Sequence, residues 1–252
     1  MNRRPAQLTQ DGLMGRRLTL WQPGQGYRAG ADAVMLAAFV PARVGETALD
    51  VGAGVGAAGL CLARRVPSLH VSLLESEPAL ADLAGRNARE NGLADRVVAV
   101  HGDLTASETL AGARFDQVLT NPPFHPAGSA TLSPHANRQA ACVEAADLPL
   151  GRWLDRCLGW LKPGGSLTLI HLAARLPDLL AALDGKVGAI VVLPLWPKAG
   201  RPAERVLLRA ISGGAAGCTL LPGLVLHEAD GRYSSAAEAV LRLGLALGDA
   251  AA

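Results

Sequence analysis

Cysteine, lysine and aromatic residues are all scarce in this chain of 252 residues. The cysteines lie far apart, with no CxxC pair and no histidine close to any of them; they are Cys61, Cys142, Cys157 and Cys218. This spacing argues against a disulfide framework and against a zinc-ligand pattern, so no metal site is expected. Cys61 falls on the apolar face of a predicted helix, where a small buried thiol is expected.

Long apolar runs are also absent. No run reaches the roughly 20 residues that a membrane-spanning helix needs, and residues 1–7 are polar where a signal peptide requires an apolar stretch. The cytoplasm is therefore the expected location, without a membrane partner. The net charge of +2 does not by itself demand nucleic acid, and an apolar content of 50% indicates a folded domain.

Short apolar runs alternate with helical stretches, which is typical of βαβ units. Strands are predicted at Ala48–Val51, Val71–Glu75, Val97–Val100, Phe115–Leu119, Ser166–Leu172, Ala189–Leu193 and Arg205–Ile211. Helices are predicted at Ala31–Val40, Val55–Val66, Pro78–Asn91, Leu150–Leu161, Pro177–Leu183 and Ser235–Leu247. The pattern predicts a doubly wound α/β fold with a seven-stranded, mostly parallel sheet. Its last strand should be antiparallel, because the loop before it is too short for a crossover helix.

A glycine-rich turn, Asp50-Val51-Gly52-Ala53-Gly54-Val55-Gly56, follows the first predicted strand. The overlapping pattern Gly54-x-Gly56-x-x-Gly59 matches the dinucleotide fingerprint, so the motif alone cannot separate a dehydrogenase from a methyltransferase. That fingerprint would begin several residues after the strand end. The frame that meets the strand end is Asp50-x-Gly52-x-Gly54-x-Gly56, the spacing of S-adenosylmethionine-dependent methyltransferases.

Two further acids end the next two predicted strands. Glu75 is placed to bind ribose hydroxyls, as both cofactor types require, and Asp103 is placed to accept from an adenine amino group. Each acid alone could be a solvated strand-end residue or a helix cap. Together, in order and each at a strand end, they favour a cofactor site that binds S-adenosylmethionine.

The segment Thr120-Asn121-Pro122-Pro123-Phe124 ends the fourth predicted strand. Two prolines cannot extend a parallel ladder, so the chain must leave the sheet at the edge where such folds bind ligands. The side-chain oxygen of Asn121 and the carbonyl of Pro122 could accept both hydrogens of an exocyclic amine, and Phe124 could stack on its ring. These three residues are the predicted catalytic group, and residues 125–145 form a loop expected to overhang the crevice.

These motifs resemble those of the amino methyltransferases. Further segments resemble more closely the bacterial tRNA(Val) adenine-37 N6-methyltransferase family; they are residues 22–38, 161–165, 200–207 and 230–233. The resemblance implies methylation of an anticodon-loop adenine, with tRNA as partner. It also implies that the extension of residues 1–45, through Tyr27–Ala33, closes over the cofactor of a methyltransferase domain spanning 46–211. Residues 212–252 are expected to pack on the same domain, although the sequence leaves open that they extend to a partner. Asp32 would then bind the cofactor or serve as a helix N-cap. Phe124 departs from the family, where tyrosine is frequent.

Other interpretations remain open at this point. A protein glutamine amide presents the same two hydrogens as adenine, and a binding protein could keep the cofactor pocket without catalysis. Basic side chains could form an RNA-binding stripe or merely a solvated face; they are Lys198, Arg201, Arg205 and Arg209, with Arg16 and Arg17.

Overall fold

The computed structural model describes residues 7–25, 28–124 and 148–247. A two-stranded hairpin precedes a nine-stranded sheet that has helices on both faces. The loop predicted at 125–145 lies outside the described residues, as does Cys142. No helix within the described ranges is long and apolar enough to cross a membrane. Over the same ranges, His, Cys, Asp and Glu side chains form no group of three that could hold a metal ion.

The strands in chain order are β1 (Leu8–Leu13), β2 (Leu18–Pro23), β3 (Thr47–Val51), β4 (His70–Glu75), β5 (Val97–His101), β6 (Phe115–Thr120), β7 (Leu161–Leu172), β8 (Gly188–Lys198), β9 (Arg205–Ile211), β10 (Cys218–Leu220) and β11 (Leu224–His227). The sheet order is β10-β8-β9-β7-β6-β3-β4-β5, and β11 also pairs with β8. The predicted α/β fold is confirmed: β3–β9 correspond to the seven predicted strands, and β9 runs antiparallel to both neighbours. The short strands β10 and β11 extend the sheet beyond the prediction.

The order of the strands fixes where a ligand can bind. From β3 the chain proceeds outward through β4 and β5, then returns to form β6 on the other side of β3. Such a reversal opens a crevice outside the carboxyl ends of the two central strands. Val51 at the end of β3 is in register with Thr120 at the end of β6. The glycine-rich turn and the Asn-Pro-Pro-Phe segment therefore leave the sheet side by side.

The helices are α1 (Ala31–Phe39), α2 (Ala57–Arg65), α3 (Pro78–Glu90), α4 (Leu150–Gly159), α5 (Leu176–Leu183) and α6 (Ser235–Leu243). Side chains alternate across each strand, so Leu119 packs into the core on the α1–α2–α3–α6 face and Val118 into the core on the α4–α5 face. Cys61 is buried on α2, as expected. Helix α6 packs against α1, and the backbone N–H of Leu247 donates to the carbonyl of Ala38.

The hairpin of β1 and β2 was not predicted, and two amides of α3 hold it in place. The Asn87 side chain exchanges hydrogen bonds with the backbone of Trp21, and the Asn91 side chain does the same with Thr19. Four residues of helix rise about 6 Å, close to the 6.6 Å or so that two strand residues span. The two amides therefore replace a neighbouring strand along the free edge of β2.

Candidate active site

Thr120 and Trp153 join the two strand ends that carry the motifs. The hydroxyl of Thr120 donates to the carbonyl of Val51 at 2.8 Å and accepts from the indole N–H of Trp153 at 3.0 Å. The same indole packs on the glycine-rich turn, because a Cβ on Gly52 would lie 2.9 Å from it. Sequence analysis did not find Trp153, since it lies in the amphipathic helix α4 with no motif around it.

The three glycines of the turn have different surroundings. All have positive φ, at 70° for Gly52, 57° for Gly54 and 87° for Gly56. A Cβ on Gly56 would lie 2.9 Å from Leu73, whereas a Cβ on Gly54 would meet nothing within 4 Å. Gly56 is thus buried, Gly52 is exposed with one side against the Trp153 ring, and Gly54 is half-buried with open space where a Cβ would lie. An unobstructed backbone at this position is what a bound cofactor requires.

Asp50 faces the protein rather than the crevice. Asp50 is 2% exposed, and its carboxylate accepts from the backbone N–H of Gly59 in α2 at 2.8 Å. Burial raises the pKa of Asp50 to about 7; the Gly59 hydrogen bond lowers it, and the nearby charge of Glu75 raises it. Asp50 therefore fastens the turn to α2. Direct contact between Asp50 and a cofactor stays a prediction.

Glu75 binds the open side of the turn. One carboxylate oxygen accepts from the Gly54 N–H at 2.8 Å, and the other accepts from the Glu77 N–H at 2.9 Å. Only 8% of Glu75 is exposed. The acid at the end of β4 and the glycine that faces open space are thus directly joined, which is a suitable arrangement for holding a ribose beside the turn.

Asp103 follows the end of β5, the strand next to β4, and is exposed. One of its oxygens accepts from the backbone N–H of Thr105 at 2.7 Å and from its hydroxyl at 2.8 Å. These hydrogen bonds hold the pKa of Asp103 below its usual value. The predicted order of turn, Glu75 and Asp103 along one edge of the sheet is present, and their contact with a cofactor stays a prediction.

The Asn-Pro-Pro-Phe segment lies against β7. Asn121 is half-buried and Pro122 is buried. A ring nitrogen of the fully buried His171 lies 3.3 Å from the carbonyl oxygen of Pro123, to which it can donate. The His171 ring also meets Phe124 edge-on, with ring centroids 5.4 Å apart. His171 was missed because an isolated histidine within an apolar strand gives no functional signal.

Phe124 contacts Arg205, a side chain that the sequence analysis assigned to a possible RNA-binding stripe. The guanidinium of Arg205 lies 4.8 Å from the Phe124 ring centroid and pairs with the Asp32 carboxylate at 3.3 Å. The N-cap of α1 is Gly30, so the interpretation of Asp32 as an N-cap is wrong. Arg209 lies over the ring of Phe39 in α1. Arg205 and Arg209 thus face α1 and contact other side chains. They are not the solvated surface charges that the predicted RNA-binding stripe requires.

A buried amide positions the start of α1. Gln22 is 2% exposed, donates to Asp11 and accepts from the backbone N–H of Ala29. Arg28 donates to the same carboxylate of Asp11. This network ties the segment that precedes Asp32 to the hairpin.

Comparisons with known proteins agree with this architecture. The model of the methyltransferase small domain family matches residues 29–143. A tRNA1(Val) (adenine(37)-N6)-methyltransferase of Porphyromonas gingivalis is 37% identical over an alignment of 237 residues, which covers 87% of this chain and 89% of that protein. One of the same name from Aeromonas hydrophila is 30% identical, over 82% and 85% of the two chains.

Solved structures support the fold. A predicted O-methyltransferase from Agrobacterium tumefaciens has a TM-score of 0.70 and 25% identity, covering 85% of this chain and 97% of its own. A SAM-dependent O-methyltransferase from Thermotoga maritima, at 19% identity, has a TM-score of 0.54 and covers 77% and 69%. The resemblance inferred from the motifs is confirmed by relatives that align over most of their length. The chain belongs to the family of tRNA1(Val) (adenine(37)-N6)-methyltransferases.

Proposed function

We propose that this protein transfers the methyl group of S-adenosylmethionine to the exocyclic N6 of an adenine in the anticodon loop of a tRNA. The observation that carries the proposal is the register of Val51 with Thr120, which sets the glycine-rich turn beside Asn121. A donor held at the turn and a base held at Asn121 would be neighbours. The family relationship supports tRNA over protein glutamine, which offers the same pair of hydrogens.

The residues of the turn fit the cofactor. Gly54 offers backbone without a Cβ, Glu75 offers carboxylate oxygens for ribose hydroxyls, and Asp103 offers an exposed carboxylate for the adenine amino group. S-adenosylmethionine supplies an electrophilic methyl group on a sulfonium. What this chain supplies is the orientation of donor and acceptor, because an in-line displacement depends chiefly on geometry.

Asn121 and Pro122 would activate the acceptor. The lone pair of an adenine amino group is delocalised into the ring, so the nitrogen is a poor nucleophile. When the Asn121 side-chain oxygen and the Pro122 carbonyl each accept one of its hydrogens, the lone pair is directed toward the methyl group. Such preorganised acceptors are more effective where burial lowers the local dielectric, and Pro122 is buried. No general base is needed, since the proton becomes acidic once the nitrogen is methylated.

The test is transfer of labelled methyl from S-adenosylmethionine to bulk tRNA, with nucleoside mass spectrometry to identify the product. N6-methyladenosine should form, and Asn121→Ala should lower kcat by about a hundredfold or more, as for the loss of one preorganised polar group. Asn91→Ala is the matched control, because it removes a half-buried amide at the hairpin. Label in protein and none in RNA would identify glutamine as the acceptor. Equal turnover by Asn121→Ala would exclude the mechanism.

A further inference from the structure

Arg205 covers the ring that would stack on the target base. Its guanidinium carbon lies 4.8 Å from the ring centroid of Phe124, and Phe124 is only 8% exposed. Aromatic rings stack through their faces, in parallel and offset arrangements. A base therefore cannot use the face of Phe124 that the guanidinium occupies.

The ring itself is fixed in place. The buried His171 meets it edge-on, and Arg175 donates to the backbone carbonyl of Phe124. Phe124 is therefore held both by its side chain and by its backbone. Movement of Arg205 would open this face of the ring while Phe124 stays in place.

Arg205 is held weakly enough to be displaced. The Arg205 and Asp32 side chains are 28% and 32% exposed, and one pair of atoms at 3.3 Å joins them. Ion pairs and cation–π contacts at partly exposed sites stabilise by less than, or about as much as, a stacked base does. A base delivered by a bound RNA can thus take the place of the guanidinium.

We infer that Arg205 is a positioning residue that covers Phe124 in the substrate-free protein, anchored by Asp32, and that the target base enters by displacing it. The inference rests on the proposed function, because it takes Phe124 as the stacking surface. A free base makes no further contacts with the protein that would offset the displacement of the guanidinium. A base within an RNA has further contacts that offset the displacement, so the cover raises selectivity for the macromolecular substrate.

Arg205→Ala and Arg209→Ala form a matched pair for the test. Both residues lie on β9, face α1 and place a guanidinium over a ring, Arg209 at 5.1 Å from the centroid of Phe39. The probe is fluorescein-labelled hexa-adenylate, and its binding is followed by anisotropy at saturating S-adenosylhomocysteine. Arg205→Ala should bind it about two- to fivefold more tightly, which corresponds to the loss of one competing cation–π contact. Arg209→Ala should match the wild type.

Asp32→Asn provides a second variant that keeps the guanidinium and removes its anchor. It should shift hexa-adenylate affinity in the same direction as Arg205→Ala and by a smaller factor. With tRNA as substrate, Arg205→Ala and Asp32→Asn should each change the KM for tRNA by a larger factor than kcat. Unchanged or weaker hexa-adenylate binding in both variants would overturn the inference, even where the wild type methylates tRNA. Failure of the wild type to methylate any tRNA would instead count against the proposed function.

Discussion

The hydroxyl of Thr120 donates to the carbonyl of Val51 across two adjacent strands, at 2.8 Å. This bond joins the last residue of β6 to the last residue of β3, directly before the two segments that form the candidate active site. The indole of Trp153 donates to the same hydroxyl. One buried side chain thus connects the glycine-rich turn, the Asn-Pro-Pro-Phe segment and helix α4.

Thr120→Val should destabilise the protein by about 1–3 kcal/mol, because the Trp153 indole loses its acceptor and the Val51 carbonyl loses its donor. Urea unfolding measures the change. Thr168→Val on β7 is the control, since that buried hydroxyl has no hydrogen-bond partner among the described residues. Thr168→Val should be neutral or stabilising. Equal destabilisation by both changes would contradict the assigned role of Thr120.

Gly54→Ala should weaken cofactor binding more than it weakens the fold. The new methyl would point into open space beside Glu75, where the cofactor is expected, and a misplaced carbon in a close-fitting site costs about tenfold or more in affinity. Backbone strain at positive φ costs roughly 1–2 kcal/mol. Gly92→Ala is the control, because Gly92 has a similar φ of 64° and equally open surroundings away from the turn. Calorimetric titration with S-adenosylhomocysteine measures the affinity. It should fall in Gly54→Ala and keep its wild-type value in Gly92→Ala.

Asp50→Asn should change how stability depends on pH. The pKa of Asp50 is raised to about 7 in the folded protein, against about 3.9 for an unperturbed aspartate. Between these values the folded state holds the proton more tightly, so the wild type should lose stability as pH rises from about 4 to 7. Asparagine cannot ionise and keeps an oxygen for the Gly59 N–H. The variant should therefore gain on the wild type over this window, by up to about 1.4 kcal/mol per pH unit. The measurement is the free energy of unfolding of both proteins at several pH values from 4 to 7. A constant difference between them across this range would show that Asp50 does not titrate there.

The double substitution Lys198→Ala/Arg201→Ala should weaken tRNA binding and flatten its dependence on salt. Lys198 ends β8 at the same edge as the candidate active site, and Arg201 is exposed in the loop that follows. Each lost phosphate contact should reduce the slope of log K against log salt by about 0.7–0.9. Lys186→Ala is the control, because Lys186 pairs with Asp155 near the opposite, amino end of β8. An unchanged slope in the double variant would show that Lys198 and Arg201 do not contact the phosphates of the tRNA.

The sequence predicted those features that depend on local periodicity. Short apolar runs between helical stretches identified β3–β9, and the phase of the glycines against the end of β3 favoured a methyltransferase over a dehydrogenase. Contacts between distant residues were not predicted. The pairing of Asp32 with Arg205 joins positions 173 residues apart, and no local pattern encodes it. Arg205 and Arg209 were interpreted as part of a possible RNA-binding stripe, because the sequence does not show which way a strand side chain points.

The hairpin of β1 and β2 illustrates another reason. Its outer edge is satisfied by Asn87 and Asn91 rather than by a third strand, and α3 looks like an ordinary amphipathic helix when only its apolar positions are counted. Hydrogen-bonding capacity, rather than hydrophobicity, carries that information. His171 and Trp153 were missed for a related reason, because each occupies a position that apolar packing alone would also explain.

The reversed direction of β9 determines which end of that strand meets the candidate active site. Because β9 enters the sheet from the ligand edge, its first residue, Arg205, stands where the other central strands have their last. A slip of β9 by one residue against its neighbours would turn Arg205 to the opposite face of the sheet. The pairing of β9 with β7 therefore determines that the guanidinium of Arg205 lies over Phe124 rather than on the opposite face.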